Sequence, residues 1–139
     1  MAAFLPSAIE SLAMPCPEHP AAGVTVAVPV SLRSYAPDQA ATVTQCTRCL
    51  RVTPGGDNPD TPQAISTAYP DVEAGVGAVL LVGLLESLAS NRDRIETLLD
   101  HLEDAGVDVF LVIDRLAADE QLDPYLDLSR RRHQLEQLV

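Results

Sequence analysis

Residues 41–53 read ATVTQCTRCLRVT. ATVTQ alternates apolar with polar side chains and is rich in β-branched residues. LRVT (50–53) continues in the same style beyond the turn. A period of two with β-branching predicts strands. Between them, Cys46 and Cys49 are separated by two residues, so one tight turn can aim both sulfurs at one point. Strand, knuckle, strand is the layout of a small β-ribbon.

Upstream, GVTVAVPV (23–30) predicts another strand, ended by Pro29, which cannot donate to a ladder. SLRSYAP (31–37) resembles one helical turn closed by Pro37. The unit so formed, 14–54, holds too few apolar residues for its own core. Units this small usually need a staple such as a metal.

A staple is available in CPEHP (16–20), where Cys16 and His19 repeat the two-residue spacing. The 26 residues between the halves (20–45) allow a strand, a turn and a returning strand, so the halves can meet. Thiolate and imidazole are preferred zinc ligands, and four protein ligands close a structural site. The expected ligands are Cys16, His19, Cys46 and Cys49, around a structural Zn2+, with Arg48 placed to offset thiolate charge. Zinc knuckles commonly carry Gly after the second ligand; Pro20 and Leu50 stand there instead. Two other readings stay open: the cysteines as small buried hydrophobes, or Cys46–Cys49 as a reversible dithiol, although the βαβ context of a thioredoxin-like site is missing.

Downstream, residues 55–70 are rich in Pro and Gly and predict a loop or linker. Residues 71–139 predict three or four helices. The first begins at Asp71, with Gly75, Gly77 and Gly83 leaving room for a close helical neighbour. The second has Ser90 or Asn91 as cap, a stripe of Ile95, Leu98, Leu99 and Leu102, and a stop at Gly106. Residues 107–113 suit a strand by β-branching, but Asp108 as cap, with Phe110, Ile113 and Ala117 on one side, favours a helix. The last helix is expected to start at Asp123–Pro124, with Tyr125, Leu128, Leu135 and Leu138 along one face. Short connections favour an antiparallel bundle. The expected class is α+β: a zinc-stapled antiparallel β-ribbon followed by a helical region. Residues 1–13 read as an extension with little influence on the fold.

Among the 139 residues, 20 are acidic against 9 basic, a net charge of −11, and every basic residue is Arg. Self-repulsion at this charge is screened in molar salt, where the Debye length is about 3 Å. High acidity without Lys suggests a cytoplasmic protein of an extreme halophile; an acidic protein from a GC-rich genome is the plainer alternative. Three cysteines make no closed disulfide set and point to metal or redox chemistry in a reducing compartment. The N-terminus is a poor signal peptide. The longest apolar run, GVGAVLLVGLL (75–85), is shorter than the ~20 residues a membrane span needs.

Other polar groups carry weaker signals. His101 falls on the polar side of its helix. His133 follows Arg130, Arg131 and Arg132, where cations suit a helix C-terminus. Those arginines, or Arg33, Arg48 and Arg51 on the ribbon, are candidate contacts for nucleic acid or an acidic partner. Three consecutive arginines span too much of a helix circumference to form one face. GVG (75–77) lacks the third glycine of a dinucleotide fingerprint, since position 80 is Leu80.

The succession MPCPEH, AVPVSLRSYAP, CTRCLRVTP and GVDVFLVIDRLAADEQLDPYLDLSRRRHQLEQL resembles a group of small uncharacterised haloarchaeal proteins with an N-terminal zinc-ribbon-like motif and a helical C-terminal region. The resemblance covers roughly residues 14–139 and implies an organism class, an architecture and a start at Met14, with no assigned activity. His19 stands where such knuckles usually carry Cys. The expected function is a non-enzymatic interaction or regulatory module, with structural zinc and a helical face that binds a protein partner or itself. Nucleic-acid binding through the ribbon is the alternative, opposed by the acidic charge; a thiol redox protein is the third reading.

Overall fold

The computed structural model describes residue 19 and residues 22–138. The extension 1–13 and Cys16 lie outside the described residues. Strands β1 (Gly23–Ala27), β2 (Thr42–Cys46) and β3 (Val52–Pro54) form an antiparallel sheet in the order β1-β2-β3. Among the described residues, the helices α1 (Val72–Leu84), α2 (Leu88–Asp104), α3 (Val109–Ala118) and α4 (Leu128–Glu136) follow. The protein is α+β.

The register of the sheet decides which side chains reach which face. Val26 lies opposite Val43, and Thr25 opposite Thr44. With alternate residues on alternate faces, Val43 and Gln45 share one side of β2, and Thr44 and Cys46 the other. Val26 and Val43 enter the main core. On the reverse face the Thr25 and Thr44 hydroxyls pair at 2.8 Å. Gly56 crosses them so closely that a Cβ would sit 2.3 Å from both Oγ1 atoms, and its φ of +124° suits glycine. Cys46 therefore leaves the main core. With Cys49 it forms a second buried cluster, packed against Ala22 and Tyr125.

Helix α1 explains the apolar run 75–85. It is buried from Gly75 through Val82, as a helix apolar on every side must be. The sheet, two 3-10 turns (Val30–Tyr35 and Pro62–Ala64) and α2 surround it. Gly77 admits α2, where an added Cβ would lie 2.8 Å from Leu102 Cδ2; Gly83 instead admits β3, with Val52 Cβ 3.1 Å away. The 55–70 segment is loop in backbone, yet it sends Ile65 and Tyr69 into the same core as the sheet and helices. No helix among the described residues is long and apolar enough to cross a membrane.

The helical reading of 107–113 holds. Asp108 caps α3, its side chain accepting from the Leu111 N–H at 3.1 Å. The buried side is Val109, Val112, Ile113 and Leu116, with Ala117 exposed, so the apolar face is rotated from the one expected. The α2 stripe is buried as expected, but its cap is Ser87 rather than Ser90 or Asn91. Asn91 turns back instead to donate to the Leu84 carbonyl at 2.9 Å, satisfying the end of α1. Gly106, at φ +84°, closes α2 with bonds from its own N–H to the Glu103 carbonyl and from Val107 N–H to the Leu102 carbonyl, the pattern of a Schellman cap.

The start of α4 differs most. Asp127 is its cap, accepting from Arg130 N–H at 3.0 Å, and Asp123, Pro124 and Tyr125 lie outside the helix. Tertiary hydrogen bonds to the cysteine knuckle claim the 123 and 125 amides, and that override is invisible to local propensity.

Candidate metal centre

The centre begins at the end of β2. Cys46 N–H donates to the Arg51 carbonyl at 2.9 Å, and Leu50 N–H returns to the Cys46 carbonyl at 3.0 Å. This closes the turn Thr47–Arg48–Cys49. Inside it, the N–H groups of Arg48 and Cys49 both point at Cys46 Sγ, each at 3.4 Å. Two amide donors thereby fix the position of this sulfur within the turn.

The turn requires a left-handed residue after Cys49, and Leu50 takes φ +68°. This is the position where a knuckle commonly carries Gly. A side chain there costs about 1–2 kcal/mol, but Leu50 is 1% exposed. Burial of a leucine is worth about 1.5–3 kcal/mol, which offsets the strain.

A buried relay braces the turn. Gln45 is fully buried; its Nε2 donates to the Leu50 carbonyl at 2.9 Å, and its Oε1 accepts from the Tyr69 hydroxyl at 2.6 Å. Burial pushes the Tyr69 hydroxyl well above the usual phenol range, against the pull of Gln45.

His19 is held over the knuckle by backbone. Ala22 N–H donates to the His19 carbonyl at 3.0 Å, and Thr47 donates to the Ala22 carbonyl through its N–H at 2.6 Å and its hydroxyl at 3.2 Å. His19 Nδ1 thereby lies 3.6 Å from Cys46 Sγ. One ligand atom each from His19, Cys46 and Cys49 lies within 4.8 Å of the others. Neither cysteine is in a disulfide.

These distances fit a metal ion. Bonds of about 2.3 Å to sulfur and about 2.0–2.1 Å to nitrogen give a tetrahedral S···N edge of about 3.6 Å and an S···S edge of about 3.8 Å. The Cys46–His19 separation matches the first. A contraction of at most about 1.0 Å in S···S and about 1.2 Å in S···N, within reach of side-chain rotation, brings the other pairs onto the tetrahedron. The three residues are close enough to hold a metal ion. The fourth expected ligand, Cys16, lies outside the described residues.

The arginines divide. Arg48 is exposed, and its backbone rather than its side chain serves the turn. The Arg51 guanidinium lies 4.3 Å from the Tyr125 ring centroid, in cation–π range. Arg33 Nε donates to the Val28 carbonyl at 3.2 Å. On α4, Arg132 pairs with Asp114 at 2.6 Å and Glu136 at 3.1 Å and lies over Phe110. Arg131 donates to Gln134, and Arg130 is exposed. His101 is exposed, and exposed His133 sits 3.9 Å from Glu136.

Tyr125 and Gln45 are the site residues that sequence reasoning missed. A polar residue two positions after Val43, on the apolar face of β2, is a signal that could have found Gln45. Tyr125 gave no comparable sign, being distant in sequence and assigned to a helix. Burial pushes its hydroxyl up to about 12; Glu86 and Cys49 add to the rise, and Arg51 and Arg131 oppose it.

Fold and site define a small α+β protein whose β-knuckle carries a Cys–Cys–His cluster of metal-ligand type. The chain belongs to a family of unknown function, DUF6276, whose model matches residues 15–139. No curated protein and no solved structure matches the chain.

Proposed function

We propose that this is a zinc-binding protein in which Cys16, His19, Cys46 and Cys49 hold one structural Zn2+, and that it acts without catalysis as an interaction or regulatory module. The convergence of His19, Cys46 and Cys49 carries this reading. The matching Cys16–His19 spacing supplies the fourth ligand from the sequence. A site closed by four protein ligands leaves no position for a metal-bound water, which separates it from catalytic zinc. The acidic, lysine-free composition supports a cytoplasmic setting at high salt. The module would act through its helical region, on a protein partner or on a second copy.

The alternatives have less support. A phosphate-binding ribbon would draw on Arg33, Arg48 and Arg51; Arg33 and Arg51 are engaged with Val28 and Tyr125, which leaves exposed Arg48 as its main contact. A reactive dithiol is usually partly exposed, whereas Cys46 is 0% and Cys49 5% exposed. Native mass spectrometry of the full chain purified in high salt tests the proposal. One zinc per chain, lost in Cys46→Ser and in Cys16→Ser, is expected. A metal-free wild-type protein would refute it, and catalytic turnover abolished by alanine at a named polar cluster would refute the non-enzymatic part.

A further inference from the structure

The connection between α3 and α4 crosses the knuckle as a strap. Asp119 turns it, its side chain accepting from Gln121 N–H at 2.9 Å. Asp123 N–H then donates to the Arg48 carbonyl at 2.6 Å, and Tyr125 N–H to the Cys49 carbonyl at 3.0 Å. Pro124, which has no N–H, sits between the two donors and biases Asp123 toward extended backbone. The Tyr125 ring closes over the strap's inner side, against Cys46, Cys49 and the Arg51 guanidinium.

One peptide unit joins strap and sulfur. The Arg48 carbonyl and the Cys49 N–H belong to the same plane. The N–H points at Cys46 Sγ at 3.4 Å while the carbonyl accepts from Asp123. The chain of bonds runs Cys46 Sγ, Cys49 N–H, Arg48 C=O, Asp123 N–H. A metal that holds Cys46 as thiolate orients that plane and strengthens the carbonyl as an acceptor, since linked hydrogen bonds polarise one another. Beside these bonds, half-buried Leu122 and Leu126 pack against the edge of the main core.

We propose that metal binding at the knuckle and docking of residues 123–125 are coupled, so that metal occupancy orders the α3–α4 connection and Tyr125 helps to set metal affinity. The inference rests on the zinc reading above. Coupling between two binding events is reciprocal, so it has two readouts. Residues that surround and orient metal ligands commonly change affinity by about 10–100-fold when removed.

The experiment uses the full chain, zinc-loaded and chelator-stripped, followed by amide hydrogen exchange and by zinc titration against a chromophoric chelator. The Asp123 and Tyr125 amides should lose protection on stripping by at least about tenfold more than Leu98 and Leu99 in α2. Tyr125→Ala should weaken zinc by about 10–100-fold, and Tyr125→Phe, which keeps the ring, should restore most of the affinity. One zinc per chain with unchanged 123 and 125 exchange and unchanged Tyr125→Ala affinity would overturn the coupling and leave the zinc site standing. Equal loss of protection in α2 would overturn it too, because the metal would then hold the whole fold. Failure to bind zinc would remove the site and the coupling together.

Discussion

Leu50 offers a prediction whose sign is unusual. At most sites glycine is worse than alanine by about 0.5–1 kcal/mol, because it loses more conformational freedom on folding. At Leu50 the order should reverse. Both substitutions remove a side chain that is 1% exposed, a loss of about 2–5 kcal/mol for leucine to alanine in a core. Alanine keeps the strain of φ +68°, about 1–2 kcal/mol; glycine does not. Setting that relief against the entropic cost leaves Leu50→Gly more stable than Leu50→Ala by about 0.5–1 kcal/mol. Denaturant unfolding followed by circular dichroism measures the difference. Both variants must be saturated with metal, since ligand binding itself shifts the midpoint. A Leu50→Gly protein as unstable as Leu50→Ala, or less stable, would refute the assignment of a left-handed turn after Cys49.

Three further outcomes follow from packing and titration. Tyr69→Phe strips the buried Gln45 Oε1 of its donor and should cost about 1–3 kcal/mol in urea unfolding. Because the folded Tyr69 pKa is raised above its unfolded value, its contribution is complete below about pH 10 and is lost as pH climbs toward the folded value, at about 1.4 kcal/mol per pH unit; Tyr69→Phe should flatten that alkaline slope. Gly56→Ala meets both the Thr25 and Thr44 hydroxyls at 2.3 Å from a positive φ, and a melting curve should show about 1–3 kcal/mol of destabilisation. Gly106→Ala has no neighbour within 4 Å, so only the strain of φ +84° acts, and a smaller loss of about 1–2 kcal/mol is expected.

The strands and knuckle were legible in the sequence because their signals are local. β-Branched alternation specifies β2, and the two-residue cysteine spacing specifies the turn. The α2 stripe and the Asp108 cap were legible for the same reason. What escaped was non-local. Asp123–Pro124 has the chemistry of a helix start, but both flanking amides bond to the knuckle, and the helix waits for Asp127. Ser90 and Asn91 are good caps, but Ser87 captures the Ser90 N–H first. Half of the candidate site was therefore readable as ligand types, while the Gln45–Tyr69 brace and the Tyr125 wall depend on chain segments that meet only after folding.

Zinc-edge X-ray absorption on the loaded full chain tests the ligand set most directly. The four-ligand site should show three sulfurs at about 2.3 Å and one nitrogen at about 2.0 Å, with one sulfur lost in Cys16→Ser and the nitrogen lost in His19→Ala. A shell with two sulfurs or fewer in the wild-type protein, or one unchanged by either substitution, would contradict it.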